Sequence, residues 1–138
     1  MMRQCPICDR IADCTALLEG YLAIASAAVA LNLWWNPDLM HGSRALVALL
    51  DWLPQPGWTV LFAGLALIKL VSLMTPIPGW RLMSLGVGWV VWSHMTYVTM
   101  FETASSVLGP SIYGPMALAS LVCFWAVIWR LGRTCGND

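Results

Sequence analysis

An all-α membrane protein, a four-transmembrane-helix bundle, is the fold class this sequence predicts, and three observations predict it. The 138 residues are 59% hydrophobic and only 10% charged, with a mean hydropathy of +0.72, whereas an ordinary soluble domain carries about 25% charge. Four apolar stretches, each near the roughly 20 residues that cross a bilayer, follow one another between Pro, Gly and charge. Trp and Arg gather at their ends, at the level where headgroups meet water. So little charge cannot clothe a water-soluble core. Seven Lys+Arg against seven Asp+Glu also remove any electrostatic case for nucleic acid as a partner. The expected partners are the lipid bilayer and further copies of the chain.

The predicted spans are 16–35, holding Glu19; 58–75, interrupted by Lys69 and ended by Pro76 and Pro78; 82–101, without formal charge but with His94; and 112–129. Residues 1–15 form an N-terminal tail and 132–138 a C-terminal one. The polar start, with Cys5, Cys8, Asp9 and Asp13 ahead of an overlong apolar run, does not read as a cleaved leader, so the first span is expected to stay. Arg3, Arg10, Arg81, Arg130 and Arg133 fall on the side of the termini and only Arg44 on the other. The positive-inside rule then puts both ends in the cytoplasm of a bacterial inner membrane. Trp34, Trp35 and Trp58 mark one boundary, and Trp80 and Trp129 the other. Trp89 and Trp92, deep in the third span, read as packing between helices.

Between the first two spans, residues 43–53 read as a short amphipathic interfacial helix. Leu46, Leu49, Leu50 and Leu53 share one face and Arg44 and Asp51 the other, with Ser43 as cap and Pro54 as stop. Such a helix either floats in the bilayer surface or folds over the mouth of the bundle.

Ionisable residues inside a membrane are costly and need partners. Glu19 and Lys69, on antiparallel spans at similar depth, are expected to form an ion pair, acting as helix glue or as part of a proton path; snorkelling to the headgroups is the third reading. His94 sits on the most polar span, with Ser93, Thr96 and Thr99. It reads as a histidine hydrogen-bonded to a neighbouring helix, or as the gate of a water-lined path. Small residues four apart, Ala23 with Ala27, Ser26 with Ala30 and Ser84 with Gly88, permit close helix approach. Cys5, Cys8, Cys14 and Cys135 lie on one side of the membrane, where four thiolates can meet on zinc, exchange disulfides or stay as reduced, inert thiols. Cys123 reads as a small apolar residue. No nucleophile with its base, paired carboxylates, phosphate loop or nucleotide fingerprint is present, which predicts that the chain is not an enzyme.

Trp52-Leu53 with Pro54, Pro56 and Gly57-Trp58, the stretch from Gly64 to Lys69, the pair Trp89 and Trp92, and Gly109 to Tyr113 leading to Trp125 and Arg130 resemble small polytopic membrane proteins of tailed bacteriophages. That resemblance covers about 80 residues of the sequence. It implies a holin-like protein that oligomerises and permeabilises the host inner membrane, with Ser93, His94, Thr96 and Thr99 on the wet side. The alternatives are a small proton- or ion-coupled carrier using Glu19, Lys69 and His94, and a structural protein of the membrane or virion.

Overall fold

The computed structural model describes the backbone of residues 6–42, 44–75, 77–101 and 108–135. Five helices follow in order: α1 Pro6–Trp35, α2 Arg44–Leu50, α3 Gln55–Met74, α4 Pro78–Phe101 and α5 Leu108–Cys135; no strand occurs among the described residues. Proline at the start of α1 and α4, and second in α3, suits the first helical turn, where no backbone N–H partner is needed. Pro54, extended at φ −63°, ψ 153°, closes off the segment before α3.

Helices exceed the predicted spans at both ends of the chain. The segment expected as an N-terminal tail is helical from Pro6, because neither Gly nor Pro interrupts residues 7–15, and α5 runs on to Cys135. Three helical segments, Cys14–Trp35, Gln55–Met74 and Ser111–Gly132, are long and apolar enough to cross a membrane. The third predicted span corresponds to α4, which is long enough at 24 residues but carries Arg81, His94 and several hydroxyls and is not among those three.

The four long helices form a ring. α1 packs on α3 and α4 on α5, with α3 against α4 and α1 against α5 closing the circuit. Its polarity is inverted relative to a soluble bundle. Leu17, Ile24 and Leu31 on α1, and Val60, Leu67 and Met74 on α3, repeat every seven residues and face outward, with exposures up to 86% at Met74. Met83, Val90 and Tyr97 do the same on α4, and Leu118 and Trp125 on α5. Glu19, Ser26, Lys69, Ser72, Ser84 and Ser120 are fully buried instead. An apolar stripe on the outside of each long helix and polar side chains within is the arrangement that a hydrocarbon solvent favours.

At the end of the ring away from the termini, the packing is apolar. Leu33, Met40, Leu49, Trp58, Phe62, Trp92, Met95 and Val98 form one core. Trp92 stacks near Tyr113 and meets Phe62 with centroids 5.3 Å apart, as its predicted packing role requires. Trp89 does not share it: at 41% exposure it belongs to the outer surface. The predicted leucine face of α2 turns inward. Leu49 is fully buried with Leu46, Leu50 and Leu53 beside the core, so α2 lies folded onto the bundle. Ser43, the expected cap, lies outside the described residues.

Two side chains of α3 tie this end together. Gln55 donates from Nε2 to the carbonyls of Leu33 (2.8 Å) and Asn36 (2.7 Å) and accepts at Oε1 from the Met40 N–H at 3.3 Å. It thereby supplies a partner to Leu33 O, which Pro37 four residues on cannot, and a second donor to Asn36 O beside the Leu39 N–H. Trp58 Nε1 donates to Leu49 O at 2.9 Å, adding to the Trp52 and Leu53 N–H groups that already reach that carbonyl, and so ties α2 to α3. Leu53 presses on Gly57, where an added Cβ would lie 2.6 Å from Leu53 Cγ; glycine lets the linker close over the first turn of α3. Gln55→Leu, which strands Leu33 O, should lower stability by about 2 kcal/mol, and Gln55→Glu, which sets an oxygen against both carbonyls, by at least as much. Thermal unfolding of the detergent-purified variants measures this; wild-type midpoints in both would show that the clamp contributes nothing.

Candidate functional site

The polar interior concentrates at the opposite end, where all four long helices contribute. Glu19 lies five residues after the start of the apolar segment of α1 and Lys69 five residues before the end of α3, about 8 Å inward for each at 1.5 Å per residue. The sequence matched their depths but mispaired them. The carboxylate of Glu19 is held by Arg81 of α4: Nη2 and Nε donate to Oε2 at 2.9 and 3.1 Å. Arg81, counted from sequence as a headgroup arginine, is only 20% exposed and reaches inward from the first turn of α4. A guanidinium offers a fork of donors that a carboxylate accepts better than a single ammonium, and this explains why Arg81 displaces Lys69 as the partner.

Lys69 remains fully buried, within electrostatic range of Glu19. Its Nζ donates to Ser84 O at 3.4 Å and makes no ion pair among the described residues. Two serines flank it. Ser72 Oγ donates to Lys69 O at 2.8 Å, while the single hydroxyl proton of Ser84 faces both Arg81 O (3.1 Å) and Ser72 Oγ (3.2 Å). On α5, Ser120 is fully buried and its Oγ has no hydrogen-bond partner; Glu19 Oε1 and Trp92 Nε1 share that condition. Gly88 fills the remaining wall. A Cβ there would stand 2.8 Å from Lys69 Nζ and 3.6 Å from Ser120 Oγ, so only glycine leaves the lysine its place. Of the small residues predicted to allow close approach, Ala23, Ser26, Ala30, Ser84 and Gly88 are buried in the ring, whereas Ala27 is half-buried at an open groove.

The remaining candidates fall elsewhere. His94 lies ten residues beyond Ser84 on α4, about 15 Å along the helix, and is caught between two indoles. Trp52 meets it edge-on at 4.7 Å and Trp58 stacks at 6.2 Å and 13°. The expected hydrogen bond to a neighbouring helix is not present among the described residues, and aromatic contact replaces it. Thr96 donates to Trp92 O at 2.8 Å and Thr99 to Met95 O at 2.8 Å, so both hydroxyls are engaged by their own helix. Ser93 is half-buried. None of these residues joins Glu19 and Lys69. Of the proposed zinc ligands, Cys14 is exposed; Cys5 and the side chains of Cys8 and Cys135 lie outside the described residues. Cys123 is fully buried beside Leu85 and Val127, in keeping with its apolar reading.

Sequence reasoning missed Arg81, Ser72, Ser84, Gly88 as a site wall, Ser120 and Gln55. A signal for some of them was there. Lys69 and Ser72, and Arg81 and Ser84, are spaced three apart on either side of the Pro76–Pro78 turn, which puts each serine on the face of its charged neighbour.

These features define the class: an all-helical protein with three helices able to cross a membrane, a bilayer being the solvent they fit, and a charged site in its interior. No family model, no curated protein and no solved structure matches the chain.

Double-mutant cycles check the pairing. Neutralising Glu19 with Arg81 (Glu19→Gln, Arg81→Gln) should give a coupling energy of about 2 kcal/mol in thermal or denaturant unfolding, and Glu19 with Lys69 (Lys69→Gln) a smaller one. The reverse ranking would restore the pair expected from sequence.

Proposed function

We propose that this protein is a small ion- or proton-coupled carrier of the bacterial inner membrane, with α1, α3, α4 and α5 all crossing and both termini in the cytoplasm. One observation carries the reading. Glu19, Arg81 and Lys69 come together from three different helices, Glu19 and Lys69 about 8 Å inside their apolar segments and Arg81 reaching in from the first turn of α4, and one carboxylate oxygen is left without a partner. Ionisable residues placed so deep are typical of ion and proton pathways. The outward apolar stripe on α4, matching those of the other long helices, supports a fourth crossing, and the arginine distribution supports the orientation. His94 drops out of the carrier site, since its ring is engaged by Trp52 and Trp58.

In proteoliposomes loaded with a pH-sensitive dye, wild-type protein should carry a current or proton flux under an imposed gradient, and Glu19→Gln should reduce it at least tenfold, the loss expected when a positioned acid–base group is removed. Equal flux in wild type and Glu19→Gln would remove the site from transport.

The holin-like reading has an observation of its own. Between α1 and α3 an open apolar groove of about 460 Å³ is lined by Ala27, Ala30, Ala63 and Ala66, and small residues along a lateral groove favour helix association in lipid. On that reading, induced expression should collapse the membrane potential of the host abruptly. Sustained growth with the protein abundant in the inner membrane rejects it.

A further inference from the structure

The charge site holds two cations to one carboxylate, and that carboxylate keeps one oxygen, Glu19 Oε1, buried without a hydrogen-bond partner. Arg81 and Glu19 neutralise one another through Oε2, which leaves the Lys69 ammonium without a carboxylate within 4 Å among the described residues. An ammonium has three N–H donors, and Lys69 uses one, at 3.4 Å. The lysine tip lies against the bare backbone of Gly88, and Ser120 adds an unpartnered hydroxyl nearby, fully buried. Both Lys69 Nζ and Ser120 Oγ lie within 3.6 Å of the point where a Cβ would stand on Gly88. Both the Lys69 ammonium and the Ser120 hydroxyl can donate to an occupant that accepts. An uncompensated buried cation calls for one negative charge.

We infer that Lys69, Ser120 and the bare face of Gly88 form a binding site for one small monovalent anion of the halide, nitrate or formate class. This deepens the carrier reading at the same site and rests on it, because it names the charge that moves with or against the coupling ion. The occupant is small because Lys69 Nζ and Ser120 Oγ both lie within 3.6 Å of one point on Gly88. It is monovalent because one cation is uncompensated. Lipid phosphate is too large and too superficial to reach a point that far inside. A water molecule beside a neutral lysine is the competing occupant.

The full chain, purified in a neutral detergent, provides the test. Sodium chloride, nitrate or formate replaces sodium gluconate at constant ionic strength while tryptophan fluorescence follows thermal unfolding. The midpoint should rise and saturate with the three small anions and not with gluconate. Lys69→Met should abolish the response, and Ser120→Ala should raise the half-saturating concentration about tenfold, the loss expected for one hydrogen bond to a charged group. Ser120→Ala removes a single oxygen, so it keeps the test decisive when Lys69→Met fails to accumulate. Midpoints that are the same in gluconate and in the small anions, or a response that Ser120→Ala leaves unchanged, overturn the anion site in favour of water. Flux measurements keep the two readings apart. A gradient-driven flux that needs Glu19 but is indifferent to the anion ends the anion site and leaves the carrier; saturable binding without flux of any ion leaves the site standing and ends the carrier.

Discussion

Keeping three ionisable side chains out of hydrocarbon is the constraint on which the rest of this bundle depends. Glu19, Lys69 and Arg81 cannot face lipid without a large desolvation cost, so the helices that carry them turn these faces to one another and present Leu, Val, Met and Trp outward. The choice of serine and glycine around the charges follows. Ser72, Ser84, Ser120 and Gly88 are small enough for the backbones to approach, and the serines supply hydrogen-bonding capacity where a larger apolar residue would strand the lysine.

The opposite end obeys a different rule. There the ties run to backbone carbonyls near the ends of α1 and α2 rather than to charges, and they come from side chains of α3: Gln55 to Leu33 and Asn36, Trp58 to Leu49. His94 belongs to this end. Held between Trp52 and Trp58, it joins the segment after α2 to α3 and α4 through ring contacts. The molecule thus divides along its long axis into an apolar, backbone-clamped end and a charged end beside the termini. Among the described residues, buried polar atoms without partners fall in both parts: Glu19 Oε1 and Ser120 Oγ near the charges, and Trp92 Nε1 in the apolar core.

Much of the fold was legible because burial in a membrane leaves a coarse mark on the chain. Runs of apolar residues bounded by proline locate the four long helices and the short α2 within a few residues of their centres. The leucine face of α2, the packing role of Trp92 and the apolar role of Cys123 could also be read from position alone. Trp89 could not, since a tryptophan deep in a helix looks the same whether it faces a neighbour or lipid. The charged site was half legible. Depth along antiparallel spans pairs Glu19 with the level of Lys69, but the choice between Lys69 and Arg81 depends on which side chain can set its donors against the carboxylate, and residue spacing does not encode that.

By itself, the sequence determined the apolar helices and the position of each costly residue along them, because these follow from residue type counted along a rod that rises 1.5 Å per residue. Only the tertiary structure decided who meets whom: Arg81 with Glu19, Lys69 with Ser84 and the bare face of Gly88, Gln55 with the end of α1, and His94 with two tryptophans. Those choices depend on the rotation of each helix about its axis, which is set by the packing of all four together and is written in no single one of them.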